Sequence, residues 1–227
     1  MILQHTLFEP KSSWTTPDVF PQFSETETIA VDLETYDPHL TTCGPGWATG
    51  RGHVVGIGIA TESWSGYFPI RHEGGGNLDE GMVLRWLTNT LSSTKRDVIF
   101  HNALYDVGWL RREGIIVKGN ILDTIVAAPL INENRYSYSL DNLGSFYCDE
   151  KKDESLLQDA ALAYGINPKS EMYKLHAKYV GPYGEQDAAL TLKLWKKLKI
   201  EIAEQGLEKI LAMESKLIPL LLEMRWR

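Results

Sequence analysis

Asp32 and Glu34 stand one residue apart in the run Ile29-Ala30-Val31-Asp32-Leu33-Glu34-Thr35, a spacing that can bring two carboxylates to one cation. The run reads as a buried β-strand. Side chains alternate across a strand, so Ile29, Val31 and Leu33 point into a core while Asp32 and Glu34 leave together on the other face. Two ionised acids held that close repel each other and lose hydration unless positive charge lies between them. A divalent metal supplies it. A lone Asp-x-Glu fits the solvated face of an edge strand better, but two further acidic motifs shift the reading.

The second motif is His101-Asn102-Ala103-Leu104-Tyr105-Asp106, which follows a strand and opens a helix ending near Gly114. Asn102 is expected as its N-cap. Asp106 falls one turn further on the same side, while Ala103, Val107 and Leu110 form the packing stripe. Alone, Asp106 reads as an exposed surface acid. The third motif is Tyr183-Gly184-Glu185-Gln186-Asp187, preceded by Gly181-Pro182. Proline at a first helical position marks where the helix begins, so Tyr183 and Asp187 are expected one turn apart near its N-terminus. There the helix dipole favours an ionised Asp187. Ala188, Leu190, Leu192, Leu194, Trp195, Leu198 and Ile202 anchor the remainder. Alone, Tyr183 and Asp187 read as a hydrogen-bonded surface pair.

The elements that must position these motifs follow from periodicity and turn chemistry. Residues 9–27, with Pro10, Pro17 and Pro21, read as an irregular lead-in, and Pro38–Gly52 as a Gly- and Pro-rich loop. His53–Ala60 and Gly66–Ile70 read as the second and third strands of a meander, and Asp97–Phe100 as a short buried strand. Gly56 and Gly58 lack the third glycine and following helix of a dinucleotide fingerprint. Gly74-Gly75-Gly76 reads as a flexible loop. Helices are expected over 79–91, 121–131, 139–147, 153–164, 170–179, from Pro182 to about Gln205, and over Glu208–Arg227. Strands first, then mixed elements, then helices predict an α/β sheet flanked by helices.

At 227 residues the chain is long enough for one large domain. No window approaches the roughly 18 apolar residues of a membrane span, and Met1–His5 lacks the character of a signal peptide, so cytoplasmic residence is the default. Cys43 and Cys148 form no Cys-x-x-Cys pair and read as plain thiols. The net charge of −7 argues mildly against generic nucleic-acid binding. Carboxylates that hold metal ions contribute to that count while presenting positive charge to a substrate once loaded.

Together the three motifs resemble the DEDD superfamily of 3′→5′ exonucleases in its tyrosine-containing branch: Asp-x-Glu, then Asn-x-x-Tyr-Asp, then Tyr-x-x-x-Asp, over roughly residues 25–205. More narrowly, Asp123-Thr124 with Ala127-Ala128, and Tyr138–Leu143, resemble the proofreading domain of a bacteriophage-type family A DNA polymerase. Leu220–Arg227 resembles the segment leading into the polymerase. The resemblance implies a ribonuclease H-like mixed sheet flanked by helices, an exonuclease domain over 1–207, and a helical segment 208–227 leading to a polymerase domain of the same full-length chain. It implies two divalent ions, Mg²⁺ or Mn²⁺, held by Asp32, Glu34, Asp106 and Asp187. Tyr183 would orient the attacking water, and Thr35, Asn102 and Tyr105 would touch the 3′ end of single-stranded DNA. An all-oxygen ligand set matches Mg²⁺.

Two alternatives stay open at this point. A ribonuclease D-like enzyme trimming RNA would use the same motifs, since a 2′-hydroxyl is accepted or excluded by pocket shape. A non-catalytic exonuclease-like module would use the fold without the chemistry. The complete set of four acids and Tyr183 counts against the latter.

Overall fold

Residues 9–226 are described in a computed structural model of the chain. The readings of Met1–His5 and of Arg227 lie outside them. Among the described residues the strands are β1 (Ile29–Tyr36), β2 (His53–Ala60), β3 (Ser65–Pro69), β4 (Asp97–Phe100) and β5 (Asn120–Asp123). They form one mixed sheet in the order β3-β2-β1-β4-β5. The first three pair antiparallel, and β4 and β5 run parallel to β1. β1 is therefore central, so the edge-strand reading of Asp-x-Glu does not hold. The helices are α1 (Leu40–Cys43), α2 (Gly46–Thr49), α3 (Glu80–Leu91), α4 (Ala103–Arg112), α5 (Thr124–Ile131), α6 (Leu140–Tyr147), α7 (Ser155–Tyr164), α8 (Ala177–Glu204) and α9 (Glu208–Trp226). The α/β mixed sheet with flanking helices is the expected ribonuclease H-like architecture.

Alternation along β1 divides the core in two. Ile29, Val31 and Leu33 join Ile57, Ile59, Val98 and Phe100 beneath α3, α4 and two residues of α9. Ala30, Ala60 and Ile99 face the other way, into a core with α5, α6 and α8. Asp32 and Glu34 share the parity of Ala30 and so face α8. Opposite them on β2 stand Gly58 and Gly56. A Cβ on Gly58 would collide with the carbonyl of Gly184 in α8, and one on Gly56 with the hydroxyl of Tyr67. These glycines are places of close approach, which let a helix lie directly against the acid-bearing face.

Several expected elements differ. The stretch 121–131 opens as strand β5, because its first residues pair with β4, and turns helical only at Thr124. The helix expected over 170–179 is a 3-10 turn at Met172–Lys174 followed by the start of α8. The loop Pro38–Gly52 holds the short helices α1 and α2.

Candidate active site

The site lies where β1 meets α8 and α4. A register shift between Glu34 and Thr35 marks a bulge in β1, which bends the strand directly after the second acid. Asp32 is half-buried and Glu34 buried. Their partner Asp187 comes from α8, which begins five residues earlier than the proline signal predicts. His176 caps it, its Nδ1 accepting from the Lys178 N–H at 3.1 Å. Pro182 therefore sits inside the helix, where it has no N–H for the Lys178 carbonyl. The Ser12 hydroxyl donates to that carbonyl instead, at 2.8 Å. Trp14 adds an indole hydrogen bond to Glu185 at 2.8 Å, so part of the lead-in braces α8 beside the site. One expectation falls: Asp187 lies well past the first helical turn, where the dipole no longer favours its charge.

One oxygen from each of Asp32, Glu34 and Asp187 lies within 4.8 Å of the others. Asp106, expected from its motif alone to be exposed, is buried on α4, and its Oδ1 accepts from the Leu33 N–H at 3.1 Å. That bond ties the fourth acid to the backbone between the first two. Asn102 occupies the cap position of α4 but in a left-handed conformation, φ 78°, and its side chain makes no capping bond. The capping is done by Asp123, whose carboxylate accepts from the N–H groups of Asn102 and Ala103 at 2.9 and 2.7 Å. The Asn102 side chain is left exposed. It lines a cavity of about 520 Å³ with Tyr105, Leu104, Trp47 and Arg225. Tyr105 and Thr35 share a 2.7 Å hydroxyl contact, and the Tyr105 hydroxyl also donates to Asp37. Asp37 in turn accepts from the Gly46 N–H, which fastens the 38–52 loop to this edge of the site. All eight residues singled out from the sequence thus gather around one end of β1.

The sequence reading passed over Lys152, in the connection between α6 and α7. Its ammonium donates to Asp187 Oδ2 at 2.6 Å and to the Tyr183 hydroxyl at 3.0 Å, and lies 4.5 Å from the centre of the Tyr183 ring. Lys151-Lys152-Asp153 in a polar stretch carries no periodicity or motif that marks it; only the fold places it.

Burial dominates the electrostatics. It pushes the Asp32 carboxyl up to about 7, with Asp187 adding repulsion and Lys152 opposing it. Burial raises Glu34 as well, reinforced by Asp32 and Asp187. It also raises Asp106, with a further contribution from Asp32. Asp187 is raised by burial, against the pull of Lys152. Burial and the surrounding acids raise the Tyr183 phenol, so it is protonated at neutral pH. A cation among Asp32, Glu34 and Asp187 favours ionising them together, and the oxygen-only donors suit a hard divalent ion. One donor is already waiting: Asp187 Oδ1 is buried without a hydrogen-bond partner.

The sequence profile of the 3′–5′ exonuclease family of family A DNA polymerases matches residues 15–203. The chain belongs to that family. It is 40% identical over 234 residues to a DNA-directed DNA polymerase of Pseudomonas phage M6, covering 99% of this chain and 35% of that protein. The chain thus spans about a third of the length of such relatives. Among solved structures, Brucella melitensis NrnC with bound Mg²⁺ superposes with a TM-score of 0.60 at 16% identity, covering 88% of this chain and 85% of that one. Escherichia coli RNase D, described as an exoribonuclease involved in structured RNA processing, gives 0.57 at 16%, covering 88% and 45%. At those identities the structures share the fold. The exonuclease reading agrees with the phage polymerase relative. Divalent-metal use follows from the family and from the buried acid cluster.

Proposed function

We propose that this exonuclease hydrolyses the 3′-terminal phosphodiester of single-stranded or frayed DNA, releasing nucleoside monophosphates and so proofreading for a polymerase domain of the same chain. The observation that carries the reading is the convergence of Asp32, Glu34 and Asp187 on one point, with Asp106 alongside. Asp32, Glu34 and Asp187 would hold one divalent ion, and Asp32 with Asp106 would hold a second. Mg²⁺ fits this donor set, Mn²⁺ can replace it, and the Mg²⁺ in the NrnC structure supports the choice. Once bound, the ions supply an activated water and neutralise charge at the leaving 3′-oxygen.

The protein groups do the positioning. Tyr183, protonated and one helical turn before Asp187, directs the attacking water together with Glu34. Asn102 and Tyr105 open onto the cavity beside the acids, and with Thr35 they contact the terminal nucleotide. DNA rather than RNA is supported by the polymerase relative. Residues 1–207 form the exonuclease domain, and 208–227 lead toward the polymerase, although α9 also buries Leu211, Ile218 and Leu222 against the body of the fold. Among the described residues no helix is long and apolar enough to cross a membrane, consistent with work in the cytoplasm.

The test is digestion of a 5′-labelled single strand, its matched duplex and an RNA of the same sequence, in Mg²⁺ and in EDTA. An acidic chain has little basic surface with which to hold a duplex, so single strands should shorten distributively from the 3′ end, blunt duplex more slowly, and EDTA should stop both. Faster digestion of RNA, or digestion that survives EDTA, overturns the proposal.

A further inference from the structure

Asp32, Glu34 and Asp187 lie within 4.8 Å of one another, and the cation that reaches into this cluster is the ammonium of Lys152. Its ammonium takes Asp187 Oδ2 and the Tyr183 hydroxyl in one grip, with the lysine and aspartate side chains only 10% and 7% exposed. The grip is built by the backbone. On one side of Lys152 the Asp153 N–H donates to Gln186 at 2.9 Å, and on the other Glu150 pairs with Lys193 at 2.7 Å. Both anchors belong to α8, and Gln186 is the residue before Asp187. The chain segment is therefore clipped to the helix that carries the third metal ligand. Only the flexible four-carbon stem is free to move.

We propose that Lys152 is a tethered stand-in for the metal: in the empty site its ammonium holds Asp187 and Tyr183 in place, and when divalent ions load it releases Asp187 Oδ2 to them and swings outward. The inference rests on the two-metal reading. A unit positive charge a few ångströms from an incoming dication opposes its binding unless it moves away. Asp187 Oδ1, buried without a hydrogen-bond partner, offers the first contact; Oδ2 becomes available only when the lysine lets go. Once released, the ammonium stands beside Tyr183 at the cluster's edge, where the anionic scissile phosphate arrives. Lys152 is thus a positioning residue whose two stations correspond to the empty and the loaded site.

The test uses the 227-residue chain and Mn²⁺ alone. In an equilibrium titration followed by the paramagnetic signal of free Mn²⁺, Lys152→Met should bind about 5- to 30-fold more tightly than wild type, because the competitor is gone. Lys152→Arg, which keeps the charge, should stay near wild type, and so should Lys193→Met, which removes only a clip of the segment. In unaltered protein, Mn²⁺ should speed acylation of Lys152 by an amine-reactive reagent, read by peptide mass spectrometry, at least 3-fold. This second measurement needs no variant and stands if Lys152→Met fails to fold. Unchanged or weaker Mn²⁺ binding by Lys152→Met, or a Lys152 acylation rate that Mn²⁺ leaves unchanged or lowers, overturns the stand-in role and leaves the two-metal reading intact. Wild type that binds no Mn²⁺, or binds it equally well as Asp32→Asn, overturns both.

Discussion

Asp123 and Asp187 are both buried acids, 2% and 5% exposed, and burial raises both carboxyls, yet different groups surround the two charges. Asp123 accepts from three backbone N–H groups: Asn102, Ala103 and Ile125, at 2.9, 2.7 and 2.9 Å. It caps α5 and receives the first turn of α4, and its charge is spent on the fold. Asp187 has one lysine and a phenol beside it, an oxygen with no partner, and two more acids within 4.8 Å. A buried carboxylate ringed by backbone donors is structural. One facing other carboxylates is waiting for a cation. This separates the two classes of acid better than burial does, since burial is nearly equal.

Truncating each acid is the strongest way to break the comparison. Asp32→Ala or Asp187→Ala should lower single-strand hydrolysis by roughly 1,000-fold or more, because each removes a metal ligand, while the fold persists. Asp123→Ala should do the reverse. It strands three N–H donors at two helix starts and should cost about 3 kcal/mol of stability. Hydrolysis by the fraction that stays folded should be within a few-fold of wild type. Denaturant melts and initial rates on a labelled single strand separate the outcomes. A well-folded but inactive Asp123→Ala, or an active Asp187→Ala, would mean the two acids have been assigned the wrong way round.

Tyr183 sharpens the comparison from the side of the cluster. Tyr183→Phe keeps the ring against Lys152 and leaves all four acids in place, so the ions should still bind. Cleavage should slow by roughly 10- to 1000-fold through loss of the hydroxyl that directs water. Single-turnover rates at saturating Mg²⁺ make the measurement. An unchanged rate would return Tyr183 to a packing role.

How much of this was visible in the residues alone differs between the two acids. Asp187, with Asp32, Glu34, Asp106 and Tyr183, is legible only in combination: each motif alone reads as surface, and the three spacings together resemble one family's pattern. The strands β1, β2 and β4 were visible as short apolar or alternating runs. Asp123 was seen only as part of a family pattern, because its role depends on α4 lying beside β5, a contact twenty residues away in sequence. β5 was read as helix, since Ile121, Leu122, Ile125 and Val126 form an apolar run that suits either element, and pairing with β4 decides between them. The start of α8 was misplaced because Pro182 is a strong local signal for a first turn, and the Ser12 hydroxyl that lets it sit inside the helix comes from 170 residues upstream. Lys152 could not be found at all. A lysine between lysine and aspartate looks like solvated surface, and only the clip to Gln186 turns it inward.

The gentlest effect lies in how stability follows pH. Asp32 is pushed up to about 7 from an ordinary value of 3.8, so between those values the folded chain keeps a proton that the unfolded chain has lost. Stability must therefore fall as pH rises through that window, and the deficit is complete above pH 7. His72 and His101 work in the opposite direction. Burial lowers both to about 4 from 6.5, so their neutral forms are favoured in the fold, and stability falls as pH drops below 6.5. The wild-type profile sums these trends with those of Glu34, Asp106 and Asp187, which burial also raises, and is uninformative. The difference between Asp32→Asn and wild type removes the histidines, which both proteins share. In chelator, the variant's melting midpoint should exceed wild type by a few degrees at pH 7.5 and by much less at pH 5, at roughly 2–4 °C for each kcal/mol in a chain of this size. Saturating Mg²⁺ should erase the advantage, because the ions stabilise wild type and have lost a ligand in the variant. A midpoint difference that is flat with pH, or that grows on acidification, would show that donors of the fold satisfy the Asp32 carboxylate, and would remove the repulsion on which the contrast between the two acids rests.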